Sequence, residues 1–151
     1  MASDKHVVLL VDDEPVSLMM LKHALQDKFD VRTAGSGQQA LEILRREAVS
    51  LLITDQRMPE MSGTQLLQQS RALCPDLVCM VLTAETDVDT LINAIAESGA
   101  LRVINKPWKP EEIIRSIEAA LEYYESTKKR RQVMDQLTQA KGILDRVVNR
   151  Q

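Results

Sequence analysis

Leu51-Leu52-Ile53-Thr54-Asp55-Gln56-Arg57-Met58-Pro59 carries an apolar, β-branched run into a carboxylate, with a proline four residues later. The stretch reads as a buried strand that ends at an acid. Val7 to Val11, Leu77 to Leu82 and Arg102 to Asn105 have the same character, and each is closed by a polar residue where a loop should begin: Asp12 and Asp13, Thr83, and Lys106. A weaker strand, Asp30 to Ala34, runs into the loop signal Gly35-Ser36-Gly37. Helical patterns lie between the strands at Val16 to Lys28, Gln38 to Ala48, Gly63 to Ala72 and Val88 to Glu97, and a last one begins after Pro110.

Strand and helix thus alternate five times. Near-continuous apolar strands interleaved with amphipathic helices are what a parallel sheet covered on both faces requires. The expected fold class is α/β, a doubly wound five-stranded parallel sheet. Right-handed crossovers then bring the C-terminal ends of all strands to one edge, where ligands of such sheets bind. Asp12, Asp13, Asp55, Thr83 and Lys106 should converge there.

A chain of 151 residues is long enough for one domain with a proper core plus an appendage. With 19 basic and 22 acidic residues, the net charge of -3 offers no electrostatic footprint for nucleic acid, and no such partner is expected. Cys74 and Cys79 have no histidine near them, so ordinary reduced thiols are expected. His6 and His23 stand apart from each other and from the cysteines, and neither is expected to bind metal. The N-terminus lacks a signal-peptide core, and no apolar stretch approaches the roughly 20 residues of a membrane span. No membrane partner is expected, and a cytoplasmic location follows as the default.

From Pro110 onward there is no further proline, and Gly142 is the only glycine. A helix of about 40 residues would run roughly 60 Å, whereas a body of about 120 residues has a radius of gyration near only 14 Å. Much of the helix must project. Ile113, Ile114, Ile117, Leu121 and Tyr124 fall at helical spacing and should pack on the sheet. Farther on, Val133, Leu137, Ala140, Leu144 and Val147 follow steps of four, three, four and three, a coiled-coil seam of two heptads. Between the two parts, Lys128-Lys129-Arg130-Arg131 reads as a solvated face. The expected division is a domain over residues 5–125 and a helical extension over 126–151, a coiled coil or a linker to an output domain. A homodimer through this helix is expected, and the chain reads as a piece of a longer regulator rather than a stand-alone protein.

At the sheet edge, two carboxylates about 4 Å apart repel by roughly 4 kcal/mol at an effective dielectric of 20. Three cannot all stay ionised without a cation. Oxygen-only ligands suit magnesium, which keeps waters and takes one or two carboxylates with a phosphate oxygen. Lys106 as a second positive charge and Thr83 as a hydroxyl donor equip the site to neutralise a phosphoryl group in transfer, with Asp55 as nucleophile.

The set Val11-Asp12-Asp13-Glu14, Asp55-Gln56-Arg57-Met58-Pro59 with Met61 and Gly63, Leu82-Thr83-Ala84 and Asn105-Lys106-Pro107-Trp108 resembles the receiver domain of two-component response regulators. The likeness covers residues 5 to about 125. It implies a flavodoxin-like sheet in the order 2-1-3-4-5. It also implies that Asp55 accepts a phosphoryl group from a histidine kinase or phosphotransfer protein, and that magnesium is held by Asp13, Asp55 and the backbone carbonyl of Arg57, with Asp12 acting mainly through water. Thr83 and Lys106 carry over as the residues that sense the phosphoryl group, and a cis peptide is common before Pro107. Trp108 after Lys-Pro, with Arg57-Met58-Pro59, is similar to receivers attached to HD-GYP-type phosphodiesterases or to enhancer-binding regulators. Where the family usually has a tyrosine or phenylalanine that swings inward, this chain has Val103, so the signal should leave by the loop after Thr83 and the helical segments beyond. Arg57 and Glu85 lie at positions that tune access of water to the acyl phosphate, and a pair between them should slow hydrolysis. A magnesium-dependent phosphohydrolase forming an aspartyl phosphate is the competing enzyme reading, but such enzymes carry an acid two residues after the nucleophile, where this chain has Arg57. A constitutive helix-mediated interaction module is a third. A receiver that catalyses only its own phosphorylation and dephosphorylation uses every feature.

Overall fold

The computed structural model describes residues 6–84 and 101–149. The helix expected at Val88 to Glu97, and Glu85, lie outside the described residues. The elements are β1 (Val7–Val11), α1 (Pro15–Leu25), β2 (Asp30–Ala34), α2 (Gly37–Arg46), β3 (Leu51–Asp55), α3 (Gly63–Leu73), β4 (Val78–Thr83), β5 (Leu101–Asn105) and a long helix, α4 (Pro110–Asn149). The strands form one parallel sheet in the order β2-β1-β3-β4-β5, as expected.

Alternation along each strand divides the core in two. Val8, Leu10, Leu51, Ile53, Met80 and Leu82 face α1 and α4, meeting Leu21, Leu25, Ile113, Ile117 and Leu121. Leu9, Val11, Leu52, Cys79 and Val81 face the other way, toward Ala40, Leu41 and Leu44 of α2 and Leu66 and Leu67 of α3. Successive strand residues therefore feed opposite layers, which is why these strands read as unbroken apolar runs. Burial pushes the Cys79 thiol up to about 12, leaving it an inert core group.

Element ends shift by one to three residues from the periodicity, and two of these shifts have a clear cause. The first helix stops at Leu25 rather than Lys28, because the amides of Lys28 and Phe29 both bond the Leu25 carbonyl in a turn that carries Phe29 into the core. The fourth strand begins at Val78, since the amide of the buried Leu77 is taken by the Cys74 carbonyl.

α4 behaves as two segments joined end to end. Ile113, Ile117, Ala120 and Leu121 are buried, with Ile114 and Tyr124 packed beside them as expected. His6, set aside on sequence, ties β1 to this part: its Nδ1 lies 2.9 Å from the Ser50 hydroxyl and its Nε2 3.2 Å from Glu125. The basic run is not wholly solvated, since Arg131 pairs with Asp76 at 3.1 Å and Lys128 sits 5.8 Å from the Tyr124 ring. Beyond Arg131 the apolar residues of the helix are exposed, Leu137 at 59% and Leu144 at 62%.

The turn from β3 into α3 demands Gly63. A Cβ there would stand 2.6 Å from the Asp55 carbonyl oxygen, a backbone atom that cannot swing away. We expect Gly63→Ala to destabilise the domain by about 2 kcal/mol. Urea unfolding checks this, and an unchanged midpoint would show that the turn does not depend on close approach.

Candidate functional site

Register alone brings the strand-end residues together. Val11 pairs with Ala34 and Thr54, Asp55 with Leu82, and Thr83 with Asn105. Backbone bonds carry the alignment into the loops: Asp12 donates to Ala34, Gln56 to Leu82 and Lys106 to Thr83. Asp12, Asp13 and Asp55 each offer a carboxylate oxygen, and these atoms lie within 4.8 Å of one another. Asp12 and Asp55 are buried, whereas Asp13 faces solvent.

The charges are arranged unequally. Burial raises the pKa of Asp12, and Asp55 and Asp13 add to the rise, while the Glu14 amide at 3.0 Å and the Lys106 ammonium oppose it. The Lys106 ammonium lies 2.5 Å from the Asp55 Oδ1. Thr83 is buried at the expected edge, but its hydroxyl donates to the Ala84 carbonyl at 3.1 Å rather than to Asp55. In this state the carboxylate is held by the lysine. The peptide between Lys106 and Pro107 is cis, matching the family pattern.

The loop carrying Arg57 is pinned at several points. The Gln56 side chain accepts from the Thr64 amide at 3.0 Å and from the Thr64 hydroxyl at 2.9 Å, and the Gly63 amide donates to the Gln56 carbonyl. Ser62 and Gln65 close a capping box at the start of α3. Glu60 takes a positive φ of 65°, with the Met61 amide on the Pro59 carbonyl. A non-glycine residue in that region stores strain that the surrounding contacts must hold. Met61 is buried and would meet a Cβ placed on Gly37, so α2 closes down on the loop. The backbone near Arg57 is thereby preorganised. Arg57 itself is exposed. Sequence reasoning missed Gln56, Ser62 and Gln65; the Ser-x-x-Gln spacing is a readable signal for the last two, whereas nothing local announces the bond from Gln56 to Thr64.

Val103, on β5, is half-buried and packs against the layer formed with α2 and α3. Trp108 is half-buried on the opposite layer. It lines an apolar groove of about 940 Å³ with Asp12, Lys106 and the exposed Val16, Met19 and Met20 of α1. The groove opens directly beside the acidic edge.

A doubly wound sheet that gathers three acids, a threonine and a lysine at its C-terminal edge defines a phosphoryl-accepting switch module. The family model described as response regulator receiver domain matches residues 8–118, and the chain belongs to that family. It is 37% identical over 121 residues to the hydrogenase transcriptional regulatory protein HoxA of Cupriavidus necator, covering 80% of this chain and 25% of that protein. The chain thus spans about a quarter of such curated relatives. Among solved structures it is similar to the adenylate cyclase from Rhodopirellula baltica, with a TM-score of 0.83, 32% identity, and coverage of 87% of this chain and 98% of that one. It is also similar to the signal receiver domain of an HD domain-containing protein from Pseudomonas fluorescens Pf-5, with a TM-score of 0.75, 30% identity, and coverage of 81% and 98%. Receiver domains bind magnesium at an acidic pocket and work with histidine kinases or phosphotransfer proteins. Among the described residues, no helix is long and apolar enough to cross a membrane.

The donor set fits such an ion: it is all oxygen, clustered, partly open through Asp13, and carries more negative charge than Lys106 balances. A native carboxyl with a raised pKa loses stability when it ionises, because the folded state holds its proton more tightly than the unfolded chain does. We therefore expect Asp12→Asn to raise the melting temperature in EDTA and to shrink the further rise that magnesium gives the parent chain. Differential scanning calorimetry decides it; a lower melting temperature in EDTA would mean that Asp12 stabilises the fold through its bond to Glu14.

Proposed function

We propose that Asp55 is the phosphoryl acceptor of this receiver, and that residues 5–125 form the signalling domain with 126–151 as its helical extension. The observation that carries the reading is a buried carboxylate, held on one oxygen by Lys106 and set within 4.8 Å of two more acids. Asp13, Asp55 and the Arg57 carbonyl would hold magnesium, with Asp12 acting through water. When bound, the ion supplies charge neutralisation for the phosphoryl oxygens.

The carboxylate oxygen of Asp55 attacks phosphorus as the bond to the donor histidine breaks, and an acyl phosphate forms. Lys106, already beside Asp55, moves onto a phosphoryl oxygen. The Thr83 hydroxyl gives up the Ala84 carbonyl for another. The apolar groove beside the site is where the donor protein would seat, with Met19 and Met20 as exposed anchors. With Val103 in place of an aromatic ring, the state of Asp55 is passed on through the loop after Thr83 and through the segment from Lys106 to Pro110, which leads into α4. The domain acts chemically on its own acyl phosphate alone, since Arg57 occupies the place where a phosphohydrolase needs an acid. Arg57 and Glu85 then slow the approach of water.

The test is phosphorylation by acetyl phosphate with magnesium, followed on intact protein by mass. We expect the parent chain to gain one phosphoryl group, Asp55→Asn to gain none, and Arg57→Ala with Glu85→Ala to lose it faster. Met19→Lys should slow transfer from a kinase and leave acetyl phosphate labelling unchanged. Full labelling of Asp55→Asn would remove Asp55 from its role, and turnover of a phosphate monoester would favour the phosphohydrolase.

A further inference from the structure

We infer that the distal part of α4 pairs with the same segment of a second copy of this chain, as a parallel, in-register two-stranded coil that opens at Arg130. The inference deepens the reading of residues 126–151 as an extension and stands apart from phosphorylation at Asp55. Val133, Leu137, Ala140, Leu144 and Val147 alternate between the two core positions of a heptad, and all five are exposed. Such a stripe has no partner within its own chain among the described residues, where the pair of Arg131 with Asp76 is the farthest point along α4 that is tied to the domain.

The flanking residues choose the partner and its direction. In a parallel pair, the residue just before a Leu137-type position meets the residue five places on in the other helix. Ile143 then meets Val148, Gln136 meets Lys141, and the stem of Lys129 lies along Met134. From Val133 onward apolar residues meet apolar ones, Gln136 meets Lys141, and no like charges face each other. Antiparallel pairing breaks this match in both central registers. Setting Leu137 against Ala140 drives Val147 onto Arg130, and setting Leu144 against Ala140 brings Lys141 onto Lys141.

One charged layer remains in the parallel arrangement. Arg130 falls on the seam one step before Val133, next to Lys128, Lys129 and Arg131, so two copies set eight cations around one level. Repulsion there forces the helices apart where each is still fastened to its own domain by Arg131 and Asp76. The exposed Tyr123 and Ser126 continue the stripe on the domain side. The coil therefore begins at Val133, and Arg130 weakens the dimer.

Sedimentation equilibrium on the full, unphosphorylated chain, from low-micromolar to near-millimolar concentration, tests this. We expect a reversible dimer of twice the 17.0 kDa chain mass. Leu137→Asp with Leu144→Asp should be monomeric with an unchanged unfolding midpoint, because both positions are exposed in the single chain. Arg130→Leu should tighten the dimer by about tenfold. Direction is read from Leu144→Cys in a Cys74→Ser, Cys79→Ala background, which should oxidise to a disulfide-linked dimer. A monomer throughout, a dimer indifferent to the two aspartates, or a dimer of the Leu144→Cys variant whose introduced thiols do not cross-link would overturn the proposal. None of these results depends on whether Asp55 accepts phosphate.

Discussion

Three carboxylates at the end of a buried parallel sheet repel one another, and the Lys106 ammonium bonded to Asp55 answers part of that charge. Much of the structure serves to keep this arrangement from relaxing. The acids cannot separate, because strands whose residues are buried on both faces are locked in register; a one-residue slip would exchange every core contact of β3. Loops at the same edge are fastened by backbone bonds from Asp12, Gln56 and Lys106 to the neighbouring strand. Under the proposed function, a cation and a phosphoryl group would answer the remaining charge and change the partners of Lys106 and Thr83.

Why so much was legible follows from the kind of order involved. Strand content and the direction of each strand end are encoded in local runs such as Leu51 to Asp55, and the crossover rule then fixes where those ends meet. That reasoning places Asp12, Asp13, Asp55, Thr83 and Lys106 on one edge, and the register, the loop backbone bonds and the carboxylate cluster put them there. The orientation of the Thr83 hydroxyl was not readable, because it depends on which acceptor competes for one proton within a few ångströms. Gln56 was missed for a similar reason: its role as a cap on Thr64 depends on how the loop folds back. His6 is more distant still, since Ser50 and Glu125 are 44 and 119 positions away in sequence. The early stop of α1 reflects tertiary override, in which burial of Phe29 outweighs continued helical propensity.

The long helix shows how one continuous element can serve two environments. Its first turns are a wall of the domain, buried at Ile113 and Ile117, and its later turns present leucine and valine to solvent. Periodicity separates the two uses: the first part follows the sheet, and the second follows the heptad. Val103 and Trp108, at the end of the sheet that leads into this helix, are half-buried on opposite layers.

All of this rests on Asp55 being the group that is modified. After phosphorylation with magnesium and a small phosphodonor, borohydride reduction converts an aspartyl phosphate to homoserine, and peptide mass spectrometry then locates it. The account predicts homoserine at position 55 and at neither position 12 nor 13. Homoserine at Asp12 or Asp13, or none anywhere in a chain that had gained phosphate, would contradict it.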